Sequence, residues 1–496
     1  MRPCEGMGVG SGTGSGEIAT ETANTASTSV PICSEFDSRS FGSFRLVRAL
    51  VLGNLLLLGV FVWALFSLSE RERAGGGPCS SALLAYWVSY AALWLLLSVF
   101  AWSIRKIDHR LGRSWRSAAF ILLVAAVVRF SVVFTSQPTL SDDIWRYVHD
   151  GNVLGNLGRN PYENSPEEMN TQWPVNHAHL VTIYQPTSQC VFSLCARLKS
   201  VEVITAFRSC FSLVDLGIVT LLLIKLRNTK RSSWWAALYA WHPLPISEVA
   251  ATGHQDVIGI ACLIVALLLL DIVQNEPRGR FALVLALGAG ISFSLAIGVK
   301  PLIAPLAVPV AWFLRREKTL AIGVAVSAVV TVVALYLPFL LMEGGLGGMQ
   351  KTIAMFMETW AFNGSLHPLT EFLVGSKSVA DRTMGMGILA ALFLVTVTSK
   401  DLWRAALFYL VAFLLLSSTV HPWYLLWALP LIVVRFNPIL WVLGLTASWS
   451  YAVLIDSSTF RLPIVVGIIE YLPVYGTAAW QLGYLLRCRT RLCTGN

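Results

Sequence analysis

Apolar stretches long enough to cross a bilayer dominate the chain from residue 46 onward. A hydrocarbon core of about 30 Å needs about 20 predominantly apolar residues in a helix. Uninterrupted stretches of this kind run at 46–68, 82–104, 117–136, 203–224, 254–273, 319–341, 381–399, 437–456 and 463–486. The pattern predicts an all-α fold, a polytopic bundle of transmembrane helices.

Three further apolar runs are interrupted by residues that end helices. They are 233–273, broken at Gly253 and His254, 281–314, broken at Lys300 and Pro301, and 402–434, broken at His421 and Pro422. A proline removes a backbone donor and clashes with the preceding turn. We interpret each run as two crossings joined by a tight turn, which predicts about 12–14 spans in total.

Composition excludes a soluble globular protein and a nucleic-acid-binding protein. Of 496 residues, 55% are hydrophobic and only 13% are charged, which leaves too few polar groups to cover a soluble surface of this size. The formal charge of +9 comes from basic residues in short segments between apolar runs. It does not come from a basic patch interleaved with aromatic residues, so we expect no nucleic-acid partner and a lipid bilayer instead.

The basic residues predict the orientation, because cytoplasmic loops are enriched in Lys and Arg. With the N-terminus in the cytoplasm, the inner segments hold Arg105, Lys106, Arg110, Arg113, Arg116, Lys225, Arg227, Lys230, Arg231, Arg278, Arg280, Arg315, Arg316, Lys318, Lys400, Arg404 and Arg435. Two long loops, 137–202 and 342–380, then lie outside. Residues 1–45 are predicted to be a disordered cytoplasmic tail, 46–486 the transmembrane domain and 487–496 a basic cytoplasmic tail.

The first long loop opens with an acidic helical segment. Ser141 is the expected N-cap, and Asp143, Arg146, Tyr147 and Asp150 share one face of the helix that follows. A carboxylate held there could act as a general base on a hydroxyl. The alternative is a solvated ladder of salt bridges from Asp142 through Arg146 to Asp150.

The other polar motifs fall at the same end of their apolar segments, so one membrane face is expected to carry the site. Lys300 is placed to meet the charge of a departing phosphate at a helix break, although a snorkelling lysine would look the same. Arg129 is a second phosphate partner by this reasoning, or a structural partner of Asp215. His254 and Asp256 could bind a hydroxyl or cap a helix; a divalent cation is compatible with this acidic cluster, but we predict no metal and no cofactor.

Polar and aromatic residues of two further motifs complete the site. His421, Trp423 and Tyr424 combine a titratable ring with two aromatic rings that could stack on a sugar, or that could belong to an interfacial aromatic belt. Asn363 in the second long loop is polar enough to contact an acceptor, although a simple turn would also explain it.

In their order along the chain, these motifs resemble the GT-C superfamily of integral-membrane glycosyltransferases. The resemblance covers most of residues 117–434, through GRNPY (158–162), TIYQP (182–186), AWHPLPISEVAATGHQD (240–256), GVKP (298–301), FNGSLHP (362–368) and HPWYLLWALP (421–430). It is strongest to bacterial polyprenyl-phosphate-mannose-dependent mannosyltransferases of the family numbered 87. Three spans precede the first long loop here, where many members of the superfamily have one.

The resemblance implies an inverting transfer of a hexose, expected to be mannose, from a polyprenyl-phosphate sugar to a glycolipid or glycan hydroxyl outside a bacterial plasma membrane. It assigns the catalytic base to Asp142 or Asp143. Substrate binding then involves Arg146, Tyr147, Tyr184, His254, Asp256, Lys300, Asn363, His421, Trp423 and Tyr424. Arabinose or glucose as the sugar stays open, and so does a different class of protein, a transporter or flippase of lipid-linked sugar or polysaccharide.

Overall fold

A computed structural model describes residues 35–73, 80–108, 111, 114–198, 201–275, 279–456 and 462–494. The chain divides into two compact units, Met1–Arg45 and Leu46–Asn496. The first helix begins at Glu35, so residues 35–45 are helical rather than part of the predicted disordered tail. Extension of an existing helix needs no new nucleation, which allows it to continue beyond the apolar stretch. Residues 1–34 of that tail lie outside the described residues.

Regular structure in the described residues is helical, as the apolar pattern predicted. The first half contains α1 (Glu35–Arg73), α2 (Ser80–Ile107), α3 (Trp115–Thr135), α4 (Asp143–Gly155), α5 (Pro186–Ala196), α6 (Val203–Asn228), α7 (Ala237–Ala240), α8 (Pro243–Pro245) and α9 (Asp256–Asn275). The second half contains α10 (Arg280–Ile297), α11 (Ala307–Leu314), α12 (Lys318–Leu341), α13 (Gly347–Thr359), α14 (Leu366–Val374), α15 (Lys377–Thr398), α16 (Leu402–Leu416), α17 (Leu431–Val434), α18 (Pro438–Thr446) and α19 (Ile464–Thr494). The described part of the chain has no strand, only isolated bridges from Phe362 and Asn363 to Thr419.

Nine helices in the described residues are long and apolar enough to cross a membrane. The chain is therefore a multi-pass integral membrane protein with an all-α fold. Two shorter apolar helical segments, Pro301–Leu314 and Leu402–Leu416, accompany them. All but the first residue of the segment predicted at 463–486 lies within α19, which is not one of the nine and which continues through most of the predicted basic tail.

The three interrupted runs break where the sequence predicted. Helix α9 begins at Asp256, directly after Gly253 and His254. A 3₁₀ helix begins at Pro301 after α10 ends at Ile297, and another begins at Pro422 after α16 ends at Leu416. Residues 233–251 run from the end of α6 back to the level of its first turns, but they are not the regular helix that the apolar run predicted. They form four short pieces, a 3₁₀ helix (Ser233–Ala236), α7, α8 and a π-helix (Ile246–Ala251), rather than one regular helix.

Buried arginines tie the irregular segment to its neighbours. Arg208 of α6 donates to the carbonyls of Val132 and Ser136 at the end of α3, and to the carbonyl of Ala250 in the π-helix. Gly253, just beyond, has φ of 81°, and a Cβ there would lie 2.5 Å from the Ile144 side chain. The chain can therefore turn sharply against α4 only with glycine at this position.

Arg129 lies inside the helix bundle rather than at a ligand site. Its Nε donates to Asp215 at 2.5 Å, and both side chains are fully buried. Tyr239 donates to the same carboxylate, and Arg129 Nη1 donates to the Ala240 carbonyl. The structural alternative proposed for Arg129, a pairing with Asp215, is therefore correct. The added hydrogen bonds stabilise this ion pair, since burial of two charges is costly without them.

Candidate active site

A cavity of about 1230 Å³ collects residues from most of the predicted motifs at one end of the helices. Its walls come from the first long loop, the start of α9, the turn after α10, α13 and the segments 418–424 and 450–454. The predicted site residues that line it are Asp142, Asp143, Arg146, Tyr147, Tyr184, Asp256, Lys300, His421, Trp423 and Tyr424. Residues far apart in sequence thus meet in one chamber large enough for an organic ligand.

The paired acids at the start of α4 have different surroundings. Asp142 occupies the N-cap position that was predicted for Ser141, and its Oδ1 accepts a hydrogen bond from Asn176 at 2.7 Å. Asp143 begins the helix, and its Oδ2 accepts one from the Tyr184 hydroxyl at 3.2 Å. Desolvation, and next the charge of Asp143, raises the pKa of Asp142. Burial raises the pKa of Tyr184, and the charge of Asp143 raises it further, so the Tyr184 hydroxyl remains a hydrogen-bond donor.

Arg146 does not form the predicted salt-bridge ladder. Its guanidinium donates to the carbonyls of Leu180, Asn176 and His177, at 2.6, 2.7 and 3.0 Å. These bonds fold the first long loop back over α4, because a guanidinium can satisfy several carbonyls at once. Tyr147 is buried, with its ring stacked on Phe192. Both residues line the cavity, but the hydrogen bonds of Arg146 are to the loop itself, and the Tyr147 ring also contacts Phe211 of α6.

The fourth residue of the predicted helical face, Asp150, is fully buried. Its Oδ2 accepts a hydrogen bond from Gln189 at 3.1 Å. Burial raises the pKa of Asp150 to about 6, although the charge of Arg146 opposes the shift. The Asp150 carboxylate thus bonds α4 to α5 through Gln189, and it does not line the cavity.

Lys300 and Asp256 form an ion pair on the cavity wall. Lys300 Nζ lies 3.0 Å from Asp256 Oδ1 and 3.6 Å from the centre of the Tyr424 ring. Trp427 Nε1 donates to the same Asp256 oxygen at 2.6 Å. An ammonium has three N–H donors, so the lysine keeps donors for a ligand anion while Asp256 holds it in place.

His254 is buried beside the cavity between two carboxylates. Its Nδ1 lies 3.2 Å from Glu248 Oε2, and its Nε2 lies 3.9 Å from Asp143 Oδ2. The Tyr451 hydroxyl lies within hydrogen-bond distance of both Glu248 oxygens, at 2.7 and 2.8 Å. His254 Nε2 itself has no hydrogen-bond partner. Glu248 and Tyr451 are essential to this arrangement, and no local pattern in the sequence identified Tyr451.

Four rings form a stacked column along one wall of the cavity. Phe362 stacks on His421, His421 on Trp423, and Trp423 on His254, with centroid distances of 4.6, 4.3 and 4.0 Å. Two imidazoles this close to one indole cannot share a face, so they cover both faces of Trp423. The faces of Trp423 are thus occupied by His254 and His421 in this structure, while Trp423 also lines the cavity; a contact of this ring with a sugar stays a prediction.

Asn363 has a structural role in place of the predicted contact with an acceptor. It adopts a left-handed φ of 52°, and its amide nitrogen lies 3.0 and 3.1 Å from the two oxygens of Glu470, a fully buried residue of α19. The Tyr471 hydroxyl donates to its carbonyl. These bonds fix the second long loop to the last helix, and Asn363 does not line the cavity. The signal that could have identified this contact is the single acid, Glu470, in an apolar helix.

Among the described residues, no group of three or more His, Cys, Asp or Glu side chains is arranged to hold a metal ion. In the cavity wall, the Asp256 carboxylate is paired with the Lys300 ammonium. Comparisons with protein-family models, with curated proteins and with solved structures find no match to this chain.

Proposed function

We propose that this protein is an inverting glycosyltransferase that moves a hexose, with mannose the first choice, from a polyprenyl-phosphate sugar to a hydroxyl of a glycolipid or glycan. The reaction is placed at the extracytoplasmic face of a bacterial plasma membrane. The observation that carries the proposal is one cavity lined by a carboxylate suited to proton abstraction, Asp143, and by an ammonium suited to a phosphate, Lys300.

Asp143 is the better of the two candidate bases. Its Oδ2 is held by Tyr184 and faces His254, while Lys300 lies within electrostatic range. Asp142 instead stands at the N-cap and is bound by Asn176 of the loop. A base must be held within reach of the proton it removes. Tyr184 and Lys300, which surround Asp143, line the cavity with it, and this favours Asp143.

The chemistry needs a single displacement. The acceptor hydroxyl gives its proton to Asp143 as its oxygen bonds to the anomeric carbon of the sugar. The bond from that carbon to the phosphate oxygen breaks on the opposite side, and its electron pair leaves with the lipid phosphate. The phosphate gains one negative charge in this step, and the Lys300 ammonium, held in place by Asp256, stabilises that charge.

The walls of the cavity suit a donor that is partly lipid. On α13, Ile353, Phe356 and Met357 add an apolar side to the chamber. The first long loop covers the acidic side through residues 138–147 and 176–184. A chamber covered by such a loop favours an enzyme over a transporter, whose polar groups would follow a path through the membrane.

The test uses purified Asp143→Asn and Asp142→Asn proteins with radiolabelled polyprenyl-phosphate mannose and membrane glycolipids as acceptors. Loss of a general base lowers a rate by about 10²–10⁴-fold, so Asp143→Asn should lose most of its transfer. Asp142→Asn should lose much less. Equal folding of the two variants is checked by their thermal unfolding in detergent.

Full transfer by Asp143→Asn would contradict the assignment of the base. If the wild-type protein transfers no label from any polyprenyl-phosphate hexose, the proposed function itself is wrong. Uptake of labelled lipid-linked sugar across proteoliposomes containing the wild-type protein, without transfer, would favour the transporter.

A further inference from the structure

We infer that His254 is a positioning residue: Glu248 holds it as an imidazolium, and its charge keeps Asp143 ionised at the cavity wall. The inference rests on the proposed function for its kinetic consequence, because that function makes Asp143 the base. The charge of His254 itself can be tested without any reaction.

The position of His254 is specified by the backbone on both sides of it. It follows Gly253, whose left-handed conformation turns the chain against α4, and precedes Asp256, where α9 begins. Its own amide N–H donates to the Glu248 carbonyl at 2.8 Å. Glu248 lies in the π-helix, a distortion that is frequent at functional sites.

Carboxylates surround the ring on three elements. Glu248 of the π-helix lies 3.2 Å from Nδ1, Asp143 of α4 lies 3.9 Å from Nε2, and Asp256 at the start of α9 is within electrostatic range. Asp256 is already paired with Lys300, whereas Glu248 and Asp143 have no other ion pair among the described residues. A buried carboxylate is costly unless a cation accompanies it, so this arrangement favours a charged His254.

The remaining neighbours fix the ring without neutralising it. Trp423 stacks on it at 4.0 Å, and His421 lies on the far face of Trp423. The Tyr451 hydroxyl can donate one hydrogen bond to Glu248 and so holds this carboxylate against His254. The Tyr184 hydroxyl does the same for Asp143. Both hydroxyls bond to carboxylates, which leaves the imidazole as the nearest group able to carry a positive charge between them.

The distance between His254 and Asp143 also explains why the carboxylate stays accessible. At 3.9 Å the two groups attract each other but do not form a direct hydrogen bond. His254 Nε2 is buried and has no hydrogen-bond partner, so its charge acts on Asp143 through space.

The experiment compares pH–rate profiles of the wild-type protein and His254→Gln. Glutamine can still donate a hydrogen bond but cannot carry the charge, so Asp143 should hold its proton more tightly. The acidic limb should move to higher pH by about 1–3 units. Tyr451→Phe, which loosens Glu248 and keeps the aromatic ring, should shift the limb in the same direction by less.

His149→Gln is the matched control, because His149 is a buried histidine on α4 that contacts Thr171 and does not face Asp143. Its acidic limb should coincide with that of the wild type. An unshifted limb in an active His254→Gln protein would overturn the inference while leaving the proposed function intact. If His254→Gln does not fold, the shift expected for Tyr451→Phe decides the kinetic part.

The second measurement is ¹⁵N NMR of the wild-type protein labelled in its histidines, with the His254 signals assigned by their absence in a variant. Both ring nitrogens should be protonated at pH 7.5. A neutral ring at that pH would overturn the inference. Because no substrate is needed, this result stands even if the protein transfers no sugar.

Discussion

Two cation–carboxylate pairs, Arg129–Asp215 and Lys300–Asp256, differ in what surrounds them. The first is closed inside the bundle, with both side chains fully buried. The second lies on the cavity wall, where 22% of the Lys300 side chain is exposed. Each pair also receives an aromatic donor, from Tyr239 in the first and Trp427 in the second.

The difference teaches how to separate structural charge from functional charge in a membrane protein. Arg129 also donates to the carbonyls of Ala125 and Ala240, so its charge serves the packing of α3 against its neighbours. Lys300 contacts Asp256 and the face of Tyr424, and it lines the cavity. Both residues were phosphate candidates by sequence, and accessibility to the cavity distinguishes them.

Arg129→Met should produce the largest change, in stability. It leaves Asp215 buried without its cation, which is expected to lower the free energy of unfolding by about 3–5 kcal/mol. Thermal unfolding in detergent measures the loss. The double variant Arg129→Met with Asp215→Leu should recover much of it, because two apolar side chains leave no charge unpaired.

Transfer per folded molecule should change little in either Arg129 variant. If the double variant recovers stability and still loses transfer, Arg129 acts on the substrate and the contrast between the two pairs is wrong.

Lys300→Gln should have the next largest effect, on turnover per folded molecule; it also leaves the buried Asp256 without its cation, so some stability is lost as well. Removing one preorganised donor from a developing charge lowers a rate by about 10²–10³-fold. The rate of sugar transfer at saturating donor measures it. Lys318→Gln, at an exposed lysine at the start of α12, is the matched control and should transfer at the wild-type rate. Unchanged turnover in Lys300→Gln would remove the lysine from the reaction.

Much of the fold follows from the sequence because its signals are local. Apolar length predicted the helices, and Pro301 and Pro422 marked two breaks at the positions where the structure has them. The irregular form of residues 233–251 was not predicted, because these residues are as apolar as a regular span. A π-helix and two short helices have no distinct hydrophobic period, so composition alone cannot separate them from a regular span.

The candidate site was only partly predictable, since its contacts join distant parts of the chain. Acids and helix breaks identified Asp143, Asp256 and Lys300, which line the cavity. Tyr451, by contrast, meets Glu248 across 203 positions, and nothing around it distinguishes it from other tyrosines in apolar helices. Asn363 was assigned to the substrate because its partner Glu470 lies far away in the sequence, on the last helix, and could not be recognised.

Asp150→Asn should have the smallest of these effects and sharpens the comparison with a third buried charge. Gln189 donates to Asp150, but no cation contacts its carboxylate among the recorded ion pairs of the described residues. Burial raises its pKa from 3.8 to about 6, so between these values the folded protein binds more protons than the unfolded chain. The free energy of unfolding therefore falls as pH rises from about 4 to about 6, and the penalty is fully present above that window.

Asparagine removes this penalty, so Asp150→Asn should match the wild type near pH 4 and exceed it by up to about 3 kcal/mol at pH 7. Unfolding of both proteins in detergent across this range measures the difference.

A second group titrates in the same range. Burial lowers the pKa of His149 to about 4, so the contribution of the His149 imidazole to stability is lost as pH falls through this range. That contribution is present in both proteins and cancels. Exposed Glu167→Gln, in the same loop, is the control for removal of one negative charge. A variant that is less stable than the wild type at pH 7 would mean that Arg146 pairs with Asp150 strongly enough to outweigh its burial, and Asp150 would then resemble Asp215.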